Sequence, residues 1–131
     1  MIGLVVATHA GLAQELIASA TMITGEIVLC EAVSFHPDDP PDQFVQRIGD
    51  ALARVAANGA IIMTDMFGGT PSNTSLSFLE EGRIEVITGI NMPMLVEFCY
   101  RRERMSLTEL VPSLIKSGRE SILSAGEFLK K

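Results

Sequence analysis

Two polar residues stand where strongly apolar runs stop. The stretch "LVVATHAG" leaves His9 just beyond a run of strand length, residues 2–8, and "IIMTDMFGG" leaves Asp65 just beyond another, residues 60–64. Open parallel sheets bind ligands beyond the carboxyl ends of their strands. If these two strands are neighbours, about 4.8 Å apart, the imidazole and the carboxylate can touch. A carboxylate bonded to one ring nitrogen fixes the tautomer and leaves the other nitrogen as a free lone pair. The same residues also fit a helix-capping aspartate and an incidental histidine. After Asp65 comes "GGTPSN": Gly68 and Gly69 let backbone approach a ligand closely, Thr70 suits a helix N-cap and Pro71 the first helical position. Such a turn exposes N–H groups at the positive end of a helix dipole, a cradle for a small anion. It also fits an ordinary glycine turn with a cap. It has neither the lysine of a P-loop nor the spacing of a dinucleotide fingerprint. A nucleophilic histidine, a carboxylate behind it and an anion cradle beside it suit a phosphoryl group carried on a histidine.

These residues need a frame that alternates strand and helix. Residues 2–8 read as a buried strand, and 10–24 as a helix with Leu12, Leu16, Ile17, Ala20 and Ile23 near helical spacing and Gly25 as its stop. Residues 27–35 read as a second strand, and the loop "HPDDPPD" follows it. A helix starts near Pro41, carries Phe44, Val45, Ile48, Leu52 and Val55 on one face, and ends at Asn58-Gly59. A third strand spans 60–64, a short helix 71–79, a fourth strand 83–88 and a helix 94–102. Ser106 with Glu109 forms a capping box for the last helix, within which Pro112 marks the true start or a kink. Helices between strands require parallel pairing and crossovers. The expected fold is therefore α/β, a doubly wound, mainly parallel four-stranded sheet with helices on both faces.

The 131 residues fit a single domain, 1–131, long enough to bury a core. A net charge of −6, no Trp and one Tyr argue against nucleic acid as a partner. Seven of the ten basic residues lie beyond residue 100, read here as solvated helix faces rather than a docking patch. No apolar stretch reaches the roughly 18 residues of a membrane span, and residues 2–8 are too short for a secretory leader. Cys30 and Cys99 have apolar surroundings and no metal spacing, and so read as buried free thiols of a reducing, cytoplasmic compartment. His36 sits in the proline-rich acidic loop and reads as a bystander; with His9 it finds no third ligand, so no metal site is expected. Met63, Met66, Met92 and Met94 fill the core or line a docking face.

Three blocks, "ATHAGLAQELIASATMITGE", "TDMFGGTPSN" and "GINMPMLVE", together resemble enzyme IIA of the mannose family in the bacterial phosphoenolpyruvate sugar phosphotransferase system. The resemblance implies that His9 is the phosphorylated histidine, Asp65 its hydrogen-bonding carboxylate and Thr70 the hydroxyl near the phosphoryl group. It implies transfer from the histidine-containing phosphocarrier protein to the IIB component, acting with the membrane IIC and IID components, without an organic cofactor. It also implies a homodimer in which a C-terminal strand pairs antiparallel with the partner's sheet. Phe67 stands where the best-known family members carry tryptophan and Thr70 replaces a serine; ring and hydroxyl are kept. The chain ends soon after the domain, so no fused IIB domain is expected. Two other readings are a phosphoryl-donor domain of dihydroxyacetone kinase systems, which lacks the "GGTPSN" pattern, and a regulatory module that signals through phosphorylated His9. From the residues alone, "ESILSAGEFLKK" offers a short strand over 121–124 or a last helix running on to Leu129.

Overall fold

In the computed structural model, which describes residues 1–130, the elements run in the order β1 (Gly3–His9), α1 (Leu12–Thr24), β2 (Cys30–Phe35), α2 (Pro41–Val55), β3 (Ala60–Thr64), α3 (Thr70–Leu76), β4 (Ile84–Thr88), α4 (Met92–Arg101), α5 (Leu107–Glu120) and α6 (Ala125–Leu129). The four strands form one sheet in the order β2-β1-β3-β4, and every pairing is parallel. The alternation of side chains along β1 shows why it needs helices on both sides. Leu4 and Val6 enter one apolar cluster with α1, α4 and α5, while Val5 and Ala7 enter another with α2. All four are fully buried, as in a strand covered on both faces. Gly3 begins the strand because nothing larger fits: a Cβ there would stand 2.1 Å from the Val55 carbonyl oxygen, where α2 ends.

Several boundaries differ from expectation for local reasons. β2 begins at Cys30 rather than at residue 27, because Leu29 takes a left-handed backbone with φ of 49°. α1 begins at Leu12 because Ala10 also has φ of 49°; its N-cap is Gly11, and the Thr8 hydroxyl accepts the Ala13 N–H instead. α2 stops at Val55 with Ala56 as its cap, while Gly59, at φ of 85°, makes the separate turn into β3. α5 starts at Leu107 with the expected Ser106–Glu109 capping box and continues through Pro112, so Pro112 is not its start. From Ser121 to Lys130 the chain forms neither a strand on its own sheet nor one continuous helix. Ser124 caps the five-residue α6, and Ile122, Leu123, Phe128 and Leu129 are all exposed.

At the amino edge of the sheet the Arg102 guanidinium is buried. It donates to the Ile2 carbonyl through Nε and a terminal nitrogen (2.9 and 2.8 Å) and lies 4.8 Å from the Phe98 ring centroid. Burial beside it pushes the Cys30 thiol up from 9.0 to about 12, with Arg102 opposing, and raises Cys99 as well. A thiol that ionises later in the folded than in the unfolded chain contributes stability that is complete below pH 9.0 and is lost as pH rises toward about 12. Urea midpoints should therefore fall between pH 8 and pH 10.5 by less in Cys30→Ala than in the parent chain; equal slopes would show that the thiol ionises alike in the folded and unfolded chains. Gly3→Ala should cost about 1–3 kcal/mol or more by overpacking, read as a lowered unfolding midpoint.

Candidate active site

β1 and β3 are neighbours, and the connection leaving β1 runs to β2 on one side while the connection leaving β3 runs to β4 on the other. The carboxyl ends of β1 and β3 are thus the switch point of the sheet, where the flanking loops diverge and leave a crevice. The backbone register ends with Ala7 opposite Thr64. β1 runs on to His9, and the amide of His9 finds the side chain of Asp65 in place of a strand carbonyl, at 3.1 Å from Oδ2. The same Oδ2 lies 2.8 Å from Nδ1 of the imidazole. An ionised carboxylate only accepts, so the ring proton sits on Nδ1 and Nε2 keeps its lone pair. The His9 side chain is 44% exposed and that of Asp65 15%, so the ring is reachable while the carboxylate behind it is shielded.

The segment after Asp65 folds over the free edge of the ring. Gly68 turns the chain at φ of 88°, and Asn73 secures the turn from inside the helix, its amide donating to the Gly68 carbonyl at 3.3 Å and its N–H to that of Gly69 at 2.9 Å. A Cβ at Gly69 would lie 2.8 Å from Cε1 of His9 and 3.2 Å from Nε2. The missing side chain is what leaves room beside Nε2. Gly69 also takes the N-cap position of α3 that the sequence suggests for Thr70, with no side-chain cap bond; Thr70 is the first helical residue, and its hydroxyl is not used as the cap. The first N–H groups of the helix have no partner within it. α3 comes this close because its buried residues are small: Pro71, Ser72 and Ser75. Met66 and Phe67 flank the turn and are exposed.

Sequence reasoning places His9, Asp65, Gly68, Gly69 and Thr70 at one end of one sheet; the structure sets Asp65 and Gly69 against the His9 ring, with Gly68 and Thr70 on either side of Gly69 along the chain. It missed Phe35. The parallel register sets Phe35 beside His9, and the two rings meet edge to face with centroids 6.3 Å apart. The signal was present only in the pairing, since an apolar last residue of a strand is unremarkable alone. His36, the next residue, turns away into the loop, where its N–H donates to Asp39 at 2.8 Å. Among the described residues no group of three or more His, Cys, Asp or Glu side chains could hold a metal ion. An exposed, tautomer-fixed imidazole nitrogen facing a side-chain-free backbone turn is equipped to take an electrophilic, anionic group such as phosphoryl.

Comparisons with known proteins point the same way. The family described as PTS system fructose IIA component matches residues 3–115. The chain is 32% identical over 124 residues to the PTS system mannose-specific EIIAB component of Escherichia coli, covering 92% of this chain and 38% of that protein, well under half its length. It is 29% identical over 133 residues to the PTS system fructose-specific EIIA component of Bacillus subtilis, covering 100% and 91%. The crystal structure of the PTS IIA protein associated with the fucose utilization operon from Streptococcus pneumoniae superposes with a TM-score of 0.85 at 26% identity, covering 97% of this chain and 95% of that one. The EIIA component from Streptococcus agalactiae, at 23% identity and a TM-score of 0.87, shares the fold.

Gly69→Ala should disturb the ring without unfolding the chain, because φ of −82° suits alanine. The added methyl forces the imidazole or the turn to move, which weakens the Nδ1–H bond to Asp65. Ring ¹⁵N chemical shifts of His9 should move toward a tautomer mixture while the melting temperature stays nearly constant. Unchanged shifts would show that the turn yields instead.

Proposed function

The chain belongs to the enzyme IIA family of the bacterial sugar phosphotransferase system that its match over residues 3–115 defines, and from that premise we propose that it carries a phosphoryl group on Nε2 of His9. The observation that carries the proposal is the 2.8 Å bond from Nδ1 to Asp65, which leaves Nε2 as the free nucleophile on a half-exposed ring. The lone pair of Nε2 attacks phosphorus of the phosphohistidine on the phosphocarrier protein; the P–N bond to the donor imidazole breaks, and that imidazole leaves with its electron pair. As the new P–N bond forms, positive charge builds on the His9 ring. Nδ1 keeps its proton, and the Asp65 carboxylate stabilises that charge at hydrogen-bond distance. Gly68, Gly69 and Thr70 receive the phosphoryl oxygens: the glycines by leaving space, the turn by its N–H groups and Thr70 by its hydroxyl. The second transfer, to the IIB component, is the same displacement in reverse, and the membrane IIC and IID components are served indirectly. The carrier acts in the cytoplasm, needs no organic cofactor and does not itself select the sugar.

The same proposal includes a homodimer. β4 is an edge of the sheet, and an unpaired edge is a template for another strand. Beside that edge Val86, Thr88, Ile115, Gly118 and Ile122 line a hollow, and the exposed Ile122, Leu123, Phe128 and Leu129 follow directly in the chain. A second copy's C-terminal segment supplies both a strand for the edge and apolar side chains for the hollow.

Incubation with phosphoenolpyruvate, enzyme I and the phosphocarrier protein should yield one acid-labile phosphoryl group, on the peptide containing His9. His9→Ala should abolish it and His36→Ala should not; phosphate on His36 would overturn the assignment. Asp65→Asn keeps a hydrogen bond but loses the charge and can favour the wrong tautomer. Transfer should slow by more than about tenfold, though by less than the roughly 10⁴ seen where an orienting carboxylate serves a more demanding reaction. Deletion of residues 122–131 should give a folded monomer by sedimentation; a folded dimer would refute C-terminal exchange.

A further inference from the structure

We propose that Phe35 is a positioning residue for His9: its ring closes the third side of the imidazole and holds it in the orientation that Asp65 and Gly69 require. Asp65 engages the ring at Nδ1, and Gly69 lies along the edge formed by Cε1 and Nε2. Those two contacts hold two edges of the ring, and neither stands in the way of a swing toward β2 about the Cα–Cβ bond. Phe35 stands there. It is the register partner of His9 and points to the same face of the sheet, where the rings meet at 6.3 Å with an interplanar angle of 82°. The N–H of Ala10 donates to the Phe35 carbonyl at 2.8 Å, so the backbones of the two residues are tied as well as their rings.

Phe35 is itself supported from behind, packed against the apolar cluster that α2 closes. Phe44 of α2, fully buried, meets it at 5.0 Å, again edge to face. The Arg47 guanidinium lies 5.4 Å from the Phe44 centroid and donates to Asp39 at 2.9 Å. Asp39 in turn accepts the His36 N–H, in the loop that leaves β2 directly after Phe35. The series runs from a core helix to the reactive ring without a gap, so a displacement of the imidazole toward β2 is resisted by the core. Edge-to-face pairs are worth about 0.5–1.5 kcal/mol beyond their burial, which sets the expected effect at about two- to tenfold in rate.

The inference rests on His9 as the carrier, but its first readout does not. In the parent protein, nuclear Overhauser contacts should join the Phe35 ring protons to those of the His9 ring. In Phe35→Leu, which keeps most of the apolar volume, the His9 ring ¹⁵N shifts should move toward a tautomer mixture, and phosphorylation of His9 by the phosphocarrier should slow about two- to tenfold. Phe35→Tyr, which restores the ring, should return both to parent values. A Phe35→Leu protein with a lowered melting temperature but unchanged ¹⁵N shifts would make Phe35 a packing residue only and overturn the proposal. So would absence of the contacts in the parent protein, whatever the variants do. Tautomer loss in a chain that takes no phosphoryl group would instead leave Phe35 in place and remove the proposed function.

Discussion

One carboxylate oxygen, Oδ2 of Asp65, accepts two N–H groups of one residue, the backbone amide and the ring Nδ1 of His9. Two bonds from one acceptor to both ends of a residue fix its main chain and its side chain together, which a single contact cannot do. The arrangement has a strict requirement: β3 must lie next to β1 and must end two residues earlier, so that the side chain following its last paired residue reaches the extra turn of β1. The order β2-β1-β3-β4 satisfies this, with Thr64 the last residue in register and Asp65 next. A sheet wound in simple sequence order would place β2 between the two residues, roughly 10 Å apart, and no such bond could form.

Packing follows from the same requirement. β1 is central, so both its faces must be covered, and its continuous apolar run follows from that burial. α1, α4 and α5 cover one face, with Phe98, Leu110 and Leu114 fully buried; α2 covers the other through Phe44 and Ile48. α3 is different. It meets the sheet ends through Pro71, Ser72 and Ser75, side chains too small to contribute much apolar burial. What small residues allow is close approach, and close approach is what lets Gly69 lie against Cε1 of His9. Stability and site are thus divided between elements: large helices hold the sheet, and a short, thinly packed one brings the backbone to the edge of the His9 ring.

The parts of this design that depend on local sequence were legible. A buried strand ending in a polar residue is visible in the string of residues, so His9, Asp65 and the glycine turn could be singled out before any pairing was known. So could the Ser106–Glu109 capping box, which is complete within four residues. What was not legible depends on φ angles or on partners. Ala10 and Leu29 adopt a left-handed backbone that nothing in their type requires, so α1 and β2 begin later than their apolar patterns suggest. Gly69 displaces Thr70 from the cap position because the turn at Gly68 sets where the helix begins, and the choice lies in that geometry. Pro112 looks like a boundary from propensity alone, but Leu107, Leu110 and Leu114 are all buried on either side of it, and that burial outweighs a missing backbone bond. Phe35 was invisible for the plainest reason: its partner is 26 residues away by number and adjacent only through the register.

The two ends of β1 are treated alike. At its carboxyl end the His9 amide runs past the last carbonyl of β3 and is taken by an anion; at its amino end the Ile2 carbonyl precedes the first paired residue and is taken twice by the Arg102 cation. Each is a backbone group stranded by unequal strand lengths, and each is satisfied by a charged side chain, the stronger class of hydrogen bond. Burying a guanidinium without a carboxylate beside it is costly, and desolvation lowers the pKa of Arg102 below its usual value. The structure keeps it nonetheless, over the Phe98 ring and against two carbonyls. A central strand tied at both ends cannot slide along its neighbours without breaking a charged contact. Sliding is the motion that would carry His9 out of reach of Asp65, since one residue of slip moves the imidazole by about 3.3 Å and turns it to the other face. The buried arginine at the far end of the sheet thus holds the same strand that carries His9 at its other end.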